Sequence, residues 1–238
     1  MNIFMGHIRG LLFDRDGTLI DFHQTWTPAF TEAATLLAKG DPELVSRLLI
    51  DAGYDPETGQ SGPGSMLAAA SDAELAAFWA TMLPEETADS ILGQISGIFS
   101  DHLEFGAAPV CDLSLFCQQM LDLGYQLGIA TNGSSPSSKA MMRRFGVHHQ
   151  FAYYAGFDSG HQPKPHPSMA LGFCAATGLR PEEIAVIGDS THDLKLARSV
   201  KAGLAIGVLT GASSADDLQP FADHVIPNIT FLADLLAD

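Results

Sequence analysis

Basic residues are scarce in this chain. Its 238 residues hold 12 Lys and Arg against 28 Asp and Glu, a formal net charge of −16. Nucleic acids and anionic membranes are gripped by basic patches, so this balance opposes both as partners. Cysteine is equally sparse, at Cys111, Cys117 and Cys174. An odd count without a Cys-x-x-Cys pair argues against a disulfide framework and against structural zinc. Buried free thiols in a reducing cytoplasm are the expectation, and with them a cytoplasmic location. No apolar run approaches the ~20 residues that span a bilayer. The opening MNIFMGHIRG has no long apolar region and no small-residue cleavage site, so no signal peptide is expected; Met5 is an alternative start. A hydrophobic content of 46% with 17% charged residues excludes a disordered chain. Nothing in the sequence fixes an oligomeric state.

What the chain does have is alternation. Apolar runs at 8–14, 125–133, 151–156, 183–190, 203–209 and 222–227 read as buried strands. Helical patterns near 112–123, 136–145, 166–178, 191–201 and 229–237 lie between or after them. Strand–helix alternation of this kind predicts an α/β fold: a Rossmann-like, doubly wound parallel sheet with helices on both faces. Residues 21–95 break the pattern. They are rich in Ala, Leu and Glu and carry no convincing strand. Four amphipathic helices are read there, beginning near Thr31, Asp41, Ser71 and Pro84. Asp41 before Pro42, and Ser71 with Glu74, are good helix-start signals. The glycine-rich stretch 58–66 is read as a flexible connector, since no strand precedes it and no Gly-Lys-Ser/Thr follows. An all-helical cap domain over 21–95, inserted into a core formed by 1–20 and 96–238, is the expected organisation.

In open parallel sheets ligands bind outside the carboxyl ends of the strands. The residues at those ends are Asp14, Arg15 and Asp16; Thr131, Asn132 and Gly133; and Asp189 and Ser190, with Lys164 in a loop between strands. Two aspartates one residue apart repel, and a cation, a hydrogen bond or a shifted pKa must relieve them. Carboxylates, a hydroxyl and an ammonium converging on one crevice suit a hard divalent cation, Mg²⁺ first, together with a phosphoryl group. Each residue also has a plainer reading. Asn132-Gly133 favours a turn, Ser135-Pro136 reads as a cap and first helical residue, and Ser190 with Asp193 is itself a capping box. His148, His149, His161 and His166 are expected to be loop histidines rather than metal ligands.

Four stretches nevertheless carry a resemblance. DRDGT at 14–18, IATNG at 129–133, KPHP at 164–167 and IGDSTHD at 187–193 resemble, in order, the motifs of the haloacid dehalogenase-like superfamily of phosphohydrolases. The similarity is to its helical-cap branch and to phosphoglycolate phosphatase-like members. The resemblance implies that Asp14 is the nucleophile, forming an aspartyl-phosphate, and that Asp16 protonates the leaving alcohol and later activates water. It implies Mg²⁺ held by Asp14, by Asp16 through its backbone carbonyl, and by Asp189, with Asp193 on the metal or behind it. Thr131, Asn132 and Lys164 would bind phosphate. The cap would close over the site and read the leaving group. His23 and Arg47, and with them Trp26 and Tyr54, are candidates for substrate contact and equally for packing the cap.

The expected activity is therefore Mg²⁺-dependent hydrolysis of a small-molecule phosphate ester. One alternative is a phosphoryl-transferring sugar-phosphate mutase; another is a non-catalytic ligand-binding protein on the same fold. Between 21 and 95 only Lys39 and Arg47 face twelve acidic residues, which disfavours a grip on a second phosphate and weakens the mutase. Asp16 has no chemical purpose in a retired enzyme, nor in a dehalogenase, which has no leaving alcohol to protonate. A phosphonate hydrolase would need a cap lysine, for which Lys39 is the sole candidate.

Overall fold

The computed structural model describes residues 8–237; Met5 lies outside them. The chain opens with β1 (Gly10–Phe13) and then runs through α1 (Phe22–Leu37), α2 (Pro42–Asp51), β2 (Tyr54–Asp55), β3 (Gln60–Ser61), α3 (Met66–Ala69), α4 (Asp72–Ala80) and α5 (Ala88–Asp101). It continues with α6 (Leu113–Asp122), β4 (Gln126–Ala130), α7 (Ser135–Arg144), β5 (Phe151–Ala155), α8 (Ser168–Thr177) and β6 (Ile184–Gly188). Last come α9 (Thr191–Val200), β7 (Leu204–Val208), α10 (Ala215–Leu218), β8 (His224–Ile226) and α11 (Leu232–Ala237).

Six strands form one sheet in the order β5-β4-β1-β6-β7-β8, every neighbouring pair parallel. The Rossmann-like α/β fold is thus the observed one. β1 is central, and its sequence explains that place. Leu11, Leu12 and Phe13 are wholly buried, as a strand with helices on both faces requires. On one face Leu12 joins Phe173, Met169, Leu194 and Leu196 in a common core. Phe13 meets Phe116 of α6 edge-on, with ring centroids 5.9 Å apart.

The chain divides into two compact units, 1–21 with 109–238, and 22–108. The expected join at 95/96 falls inside α5, whose helical pattern runs on to Asp101. The helical unit has its own core, in which Trp79, Leu48, Ile91 and Ile95 are wholly buried. The Trp79 indole N–H donates to the Leu48 carbonyl at 3.0 Å, so the largest buried side chain leaves no polar atom unpaired. Its caps follow the sequence. Asp41 accepts from the N–H groups of Glu43 and Leu44, and Ser71 and Glu74 form the reciprocal box.

Two features of this unit depart from expectation. α1 starts at Phe22 rather than near Thr31 and carries Pro28 in its interior. Phe22, Trp26 and Phe30 stack along that stretch, Trp26 on Phe30 at 5.9 Å and Phe22 near Phe30 at 6.5 Å. Aromatic packing here outweighs the proline's cost. The second departure is the short antiparallel hairpin β2–β3, which pairs Tyr54 with Ser61 and Asp55 with Gln60 where a connector was expected. The cap of α7 also moves by one residue. Ser134 is the cap and Ser135 the first helical residue, because Asp158 accepts from the Ser134 hydroxyl and the Ser135 N–H, both at 2.9 Å.

Candidate active site

β4, β1 and β6 lie side by side in the sheet, and their carboxyl ends carry Thr131, Asp14 and Asp189. Asp14 leaves β1 with its N–H still on the Ile187 carbonyl at 2.8 Å. The backbone turns at Gly17, where φ is +78°. A Cβ there would sit 2.5 Å from the Asp189 carboxylate, so glycine is required by conformation and by space. The Thr210 hydroxyl, in the turn after β7, donates to the Gly17 carbonyl at 2.7 Å and fixes that turn. A side chain at Gly211 would collide with the Asp189 carboxylate as well.

Lys164 comes from the loop after β5, where its bond to Pro165 is cis. Its Nζ donates to Asp14 Oδ1 at 2.7 Å and to Asp193 Oδ1 at 2.5 Å. The ammonium is 5% exposed and the Asp193 carboxylate 1%. Asp193 uses its other oxygen, Oδ2, to accept from the Ser190 hydroxyl at 2.6 Å and the Ser190 N–H at 3.2 Å. Helix start and ion pair are therefore two jobs of one side chain. Asn132 holds Lys164 from the backbone side: its Oδ1 accepts the Lys164 N–H at 2.8 Å, and its Nδ2 donates to the Lys164 carbonyl at 3.4 Å. Asn132, expected on a phosphate, has both ends of its carboxamide on the lysine loop. Thr131, 2% exposed, accepts from the Gly133 N–H at 3.0 Å. Among the described residues its own hydroxyl proton has no acceptor.

The electrostatics are those of a crowded acidic site. Burial pushes the Asp14 carboxyl up to about 7, against the opposing pull of Lys164. Burial pushes Asp189 well up too, and the charges of Asp14 and Asp193 add to it. Burial alone would lower Lys164, but the two carboxylates reverse that and raise it. One oxygen each of Asp14, Asp189 and Asp193 lies within 4.8 Å of the others. Counting Asp16 as well, four carboxylates face two cations, Lys164 and Arg15. The formal excess is two negative charges, and the donors are hard oxygens. Both properties fit one divalent cation of the Mg²⁺ kind.

The Asp16 side chain stands apart from this cluster. Arg15, whose destination the sequence leaves open, turns back on it and donates to Asp16 Oδ2 from Nε at 2.9 Å and Nη2 at 2.5 Å. The neighbouring like charges of Asp14 and Asp16 are thus relieved separately, one by Lys164 and the other by Arg15. The loop histidines bind within the fold: His161 meets the Tyr153 hydroxyl at 2.9 Å, and His166 Nδ1 accepts from the Ser168 N–H at 3.2 Å. In the helical unit, His23 Nδ1 accepts from the Ser61 N–H at 3.5 Å and Arg47 is exposed on α2. Trp26 and Tyr54 pack against that unit's own core.

A family model for haloacid dehalogenase-like hydrolases matches residues 8–201. The chain belongs to the haloacid dehalogenase-like hydrolase family. Among curated relatives, a probable phosphatase, IndB, from Dickeya dadantii is 38% identical over 43% of this chain and 44% of its own. The chain thus spans under half the length of that relative. A phosphoglycolate phosphatase from Pectobacterium atrosepticum is 26% identical over 81% of this chain and 76% of its own. A solved structure of a predicted phosphoglycolate phosphatase from Haemophilus somnus has the same fold, with a TM-score of 0.73 at 19% identity, covering 96% of this chain and 98% of that one. All four sequence motifs fall inside the residues that the hydrolase family model matches. Among the described residues no helix is long and apolar enough to cross a membrane.

Proposed function

We propose that this hydrolase is a Mg²⁺-dependent phosphatase acting on a small phosphomonoester through an aspartyl-phosphate on Asp14. The observation that carries the reading is the pairing of Lys164 with Asp14 and Asp193, beside Asp189, at the carboxyl ends of adjacent parallel strands. The names of the relatives from Dickeya and Pectobacterium support phosphate-ester chemistry.

In the first step the Asp14 carboxylate attacks phosphorus in line. The bond from phosphorus to the leaving oxygen breaks, and that oxygen takes a proton from Asp16. In the second step Asp16 takes a proton from water as the water oxygen attacks phosphorus. The bond to Asp14 then breaks, releasing inorganic phosphate and restoring both carboxyl groups. Lys164 favours the ionised form of Asp14 against its burial and presents a positive charge to the phosphoryl oxygens. Thr131 donates its hydroxyl proton to one of them, and Asn132 holds the lysine loop in register. Asp14, Asp189 and the Asp16 backbone carbonyl would hold the cation, with Asp193 behind them through Lys164. When bound, the cation supplies charge neutralisation among the carboxylates and on the transferring phosphoryl group.

We assign residues 22–108 as the cap that selects the leaving group. Within 22–108 its two basic residues face thirteen acidic ones, and this favours an ester with one phosphate over the bisphosphate a mutase must hold. The test is hydrolysis of a panel of phosphate esters, phosphoglycolate and sugar phosphates included, with and without Mg²⁺, beside Asp14→Asn. Phosphate release that needs Mg²⁺ and is lost in the variant is the expected result. A phosphoryl group that ends on a sugar rather than on water would establish the mutase. Silence across the panel would leave a narrow substrate outside it or the binding protein.

A further inference from the structure

Arg15 is 3% exposed, and a buried guanidinium is costly unless its donors are matched. Here they are matched on two sides, by Asp16 and by α7. Nε and Nη2 both point to Asp16 Oδ2, at 2.9 and 2.5 Å. Asp16 Oδ1 is buried and has no hydrogen-bond partner among the described residues. The far side of the guanidinium is fixed by α7. Nη1 donates to Ser138 Oγ at 3.2 Å and reaches Ser137 Oγ at 3.5 Å. Ser138 Oγ in turn donates to the Ser134 carbonyl at 2.9 Å. Gly133 keeps the space open, since a Cβ there would lie 2.8 Å from Arg15 Nη2.

We infer that Arg15, braced by Ser138, is a positioning residue for Asp16: it pins Oδ2 and so makes Oδ1 the oxygen that passes the proton. The inference rests on the reading of Asp16 as the proton donor and acceptor. A carboxyl group free to rotate offers either oxygen in many orientations; a fork on one oxygen leaves a single face of the other for the leaving group and the water. The proton balance is that given above, with Oδ1 as the named atom. It loses its proton to the leaving oxygen as the ester bond breaks and regains one from water as the aspartyl-phosphate is cleaved. A merely structural ion pair would make no distinction between esters. A positioned acid does, because a poor leaving group needs the proton and a good one does not.

The experiment measures first-turnover release of the leaving group by rapid quench, in Mg²⁺, from phosphoglycolate as the alkyl ester and p-nitrophenyl phosphate as the activated aryl ester. Wild type, Arg15→Leu, Arg15→Lys, Ser138→Ala and Asp16→Asn are run together. Arg15→Leu is expected to slow the alkyl ester by about tenfold or more, part of the 10²- to 10⁴-fold a general acid supplies, and to leave the aryl ester nearly unchanged. Arg15→Lys keeps the charge without the fork and is expected to stay close to Arg15→Leu. Should Arg15→Leu fail to fold, Ser138→Ala carries the test, with a loss of about fivefold on the alkyl ester alone, the value of one ordinary hydrogen bond.

Equal losses on both esters, no loss on either, or full rescue by lysine would each overturn the inference. If Asp16→Asn shows no ester-selective loss, the acid–base reading itself falls. If Asp16→Asn shows it and neither Arg15→Leu nor Ser138→Ala does, this inference alone falls.

Discussion

Lys164 and Asp193 form an ion pair of 2.5 Å between two almost wholly buried side chains that stand 29 residues apart in the chain. The same ammonium serves Asp14 at 2.7 Å. One cation therefore joins the carboxyl end of β1, the start of α9 and the loop after β5.

Removing Lys164 leaves those carboxylates without their cation. Breaking a buried pair from one side costs about 3–5 kcal/mol, so Lys164→Met should lower the thermal midpoint sharply. Mg²⁺ should recover part of that loss by supplying positive charge. The double variant Lys164→Met/Asp193→Asn should be more stable than the single one yet remain inactive. A single variant as stable as wild type would show that the pair does not hold the site together.

Asn132 contacts the lysine loop through its backbone. Asn132→Ala should therefore act on kcat, by about 10- to 100-fold, the scale that small misplacements of catalytic groups produce. A residue that merely grips phosphate would raise KM with kcat unchanged. Steady-state kinetics separate the two outcomes.

Gly17 and Gly178 share a left-handed backbone, with φ of +78° and +72°. They differ in surroundings: a Cβ at Gly17 meets Asp189, and one at Gly178 meets nothing within 4 Å. Alanine at either should cost about 1–2 kcal/mol of backbone strain. Gly17→Ala should in addition abolish turnover and weaken the Mg²⁺-induced rise in thermal midpoint. Gly178→Ala, at the end of α8, should leave both unchanged. Equal kinetic effects would remove the case that Gly17 makes room for Asp189.

β1, β6 and β7 were legible because each is buried along its whole length and leaves an uninterrupted apolar run. β1 needs only Gly10–Phe13 to show it. α1 was not legible in full: Pro28 argues locally against a helix, and the packing of Phe22, Trp26 and Phe30 that overrides it is tertiary. The β2–β3 hairpin has two residues per strand, too few for any period to appear. At the site, Asp14, Asp16, Thr131, Lys164, Asp189 and Asp193 stand within the four motifs, so the resemblance to the family announces them. Arg15 also stands in a motif, but its contact with Ser138 crosses 123 residues; nothing local says where its side chain goes. Asp193 was ambiguous for the opposite reason. A cap for α9 and a place on the metal or behind it call for the same residue at the same position; the structure puts one oxygen on Ser190 and the other on Lys164.

The pH dependence of the metal-free protein follows from Asp14. Its carboxyl is pushed by burial from an ordinary 3.8 up to about 7. A carboxyl raised in the folded state contributes stability that is fully present below the unfolded value and is lost as pH rises through the folded one. For Asp14 the window runs from about 4 to about 7, and Asp189 shifts in the same direction. At about 1.4 kcal/mol per pH unit crossed, the loss amounts to a few kcal/mol. It is best read as the difference from Asp14→Asn, which carries no charge at that position. Bound Mg²⁺ needs the ionised carboxylates and so displaces their protons. Scanning calorimetry should therefore find a larger Mg²⁺-induced rise in thermal midpoint at pH 8 than at pH 5 in wild type, and a flatter response in Asp14→Asn. Equal increments at both pH values in wild type would mean that the cation is not held by Asp14, and the assignment of the metal site to this cluster would fail with it.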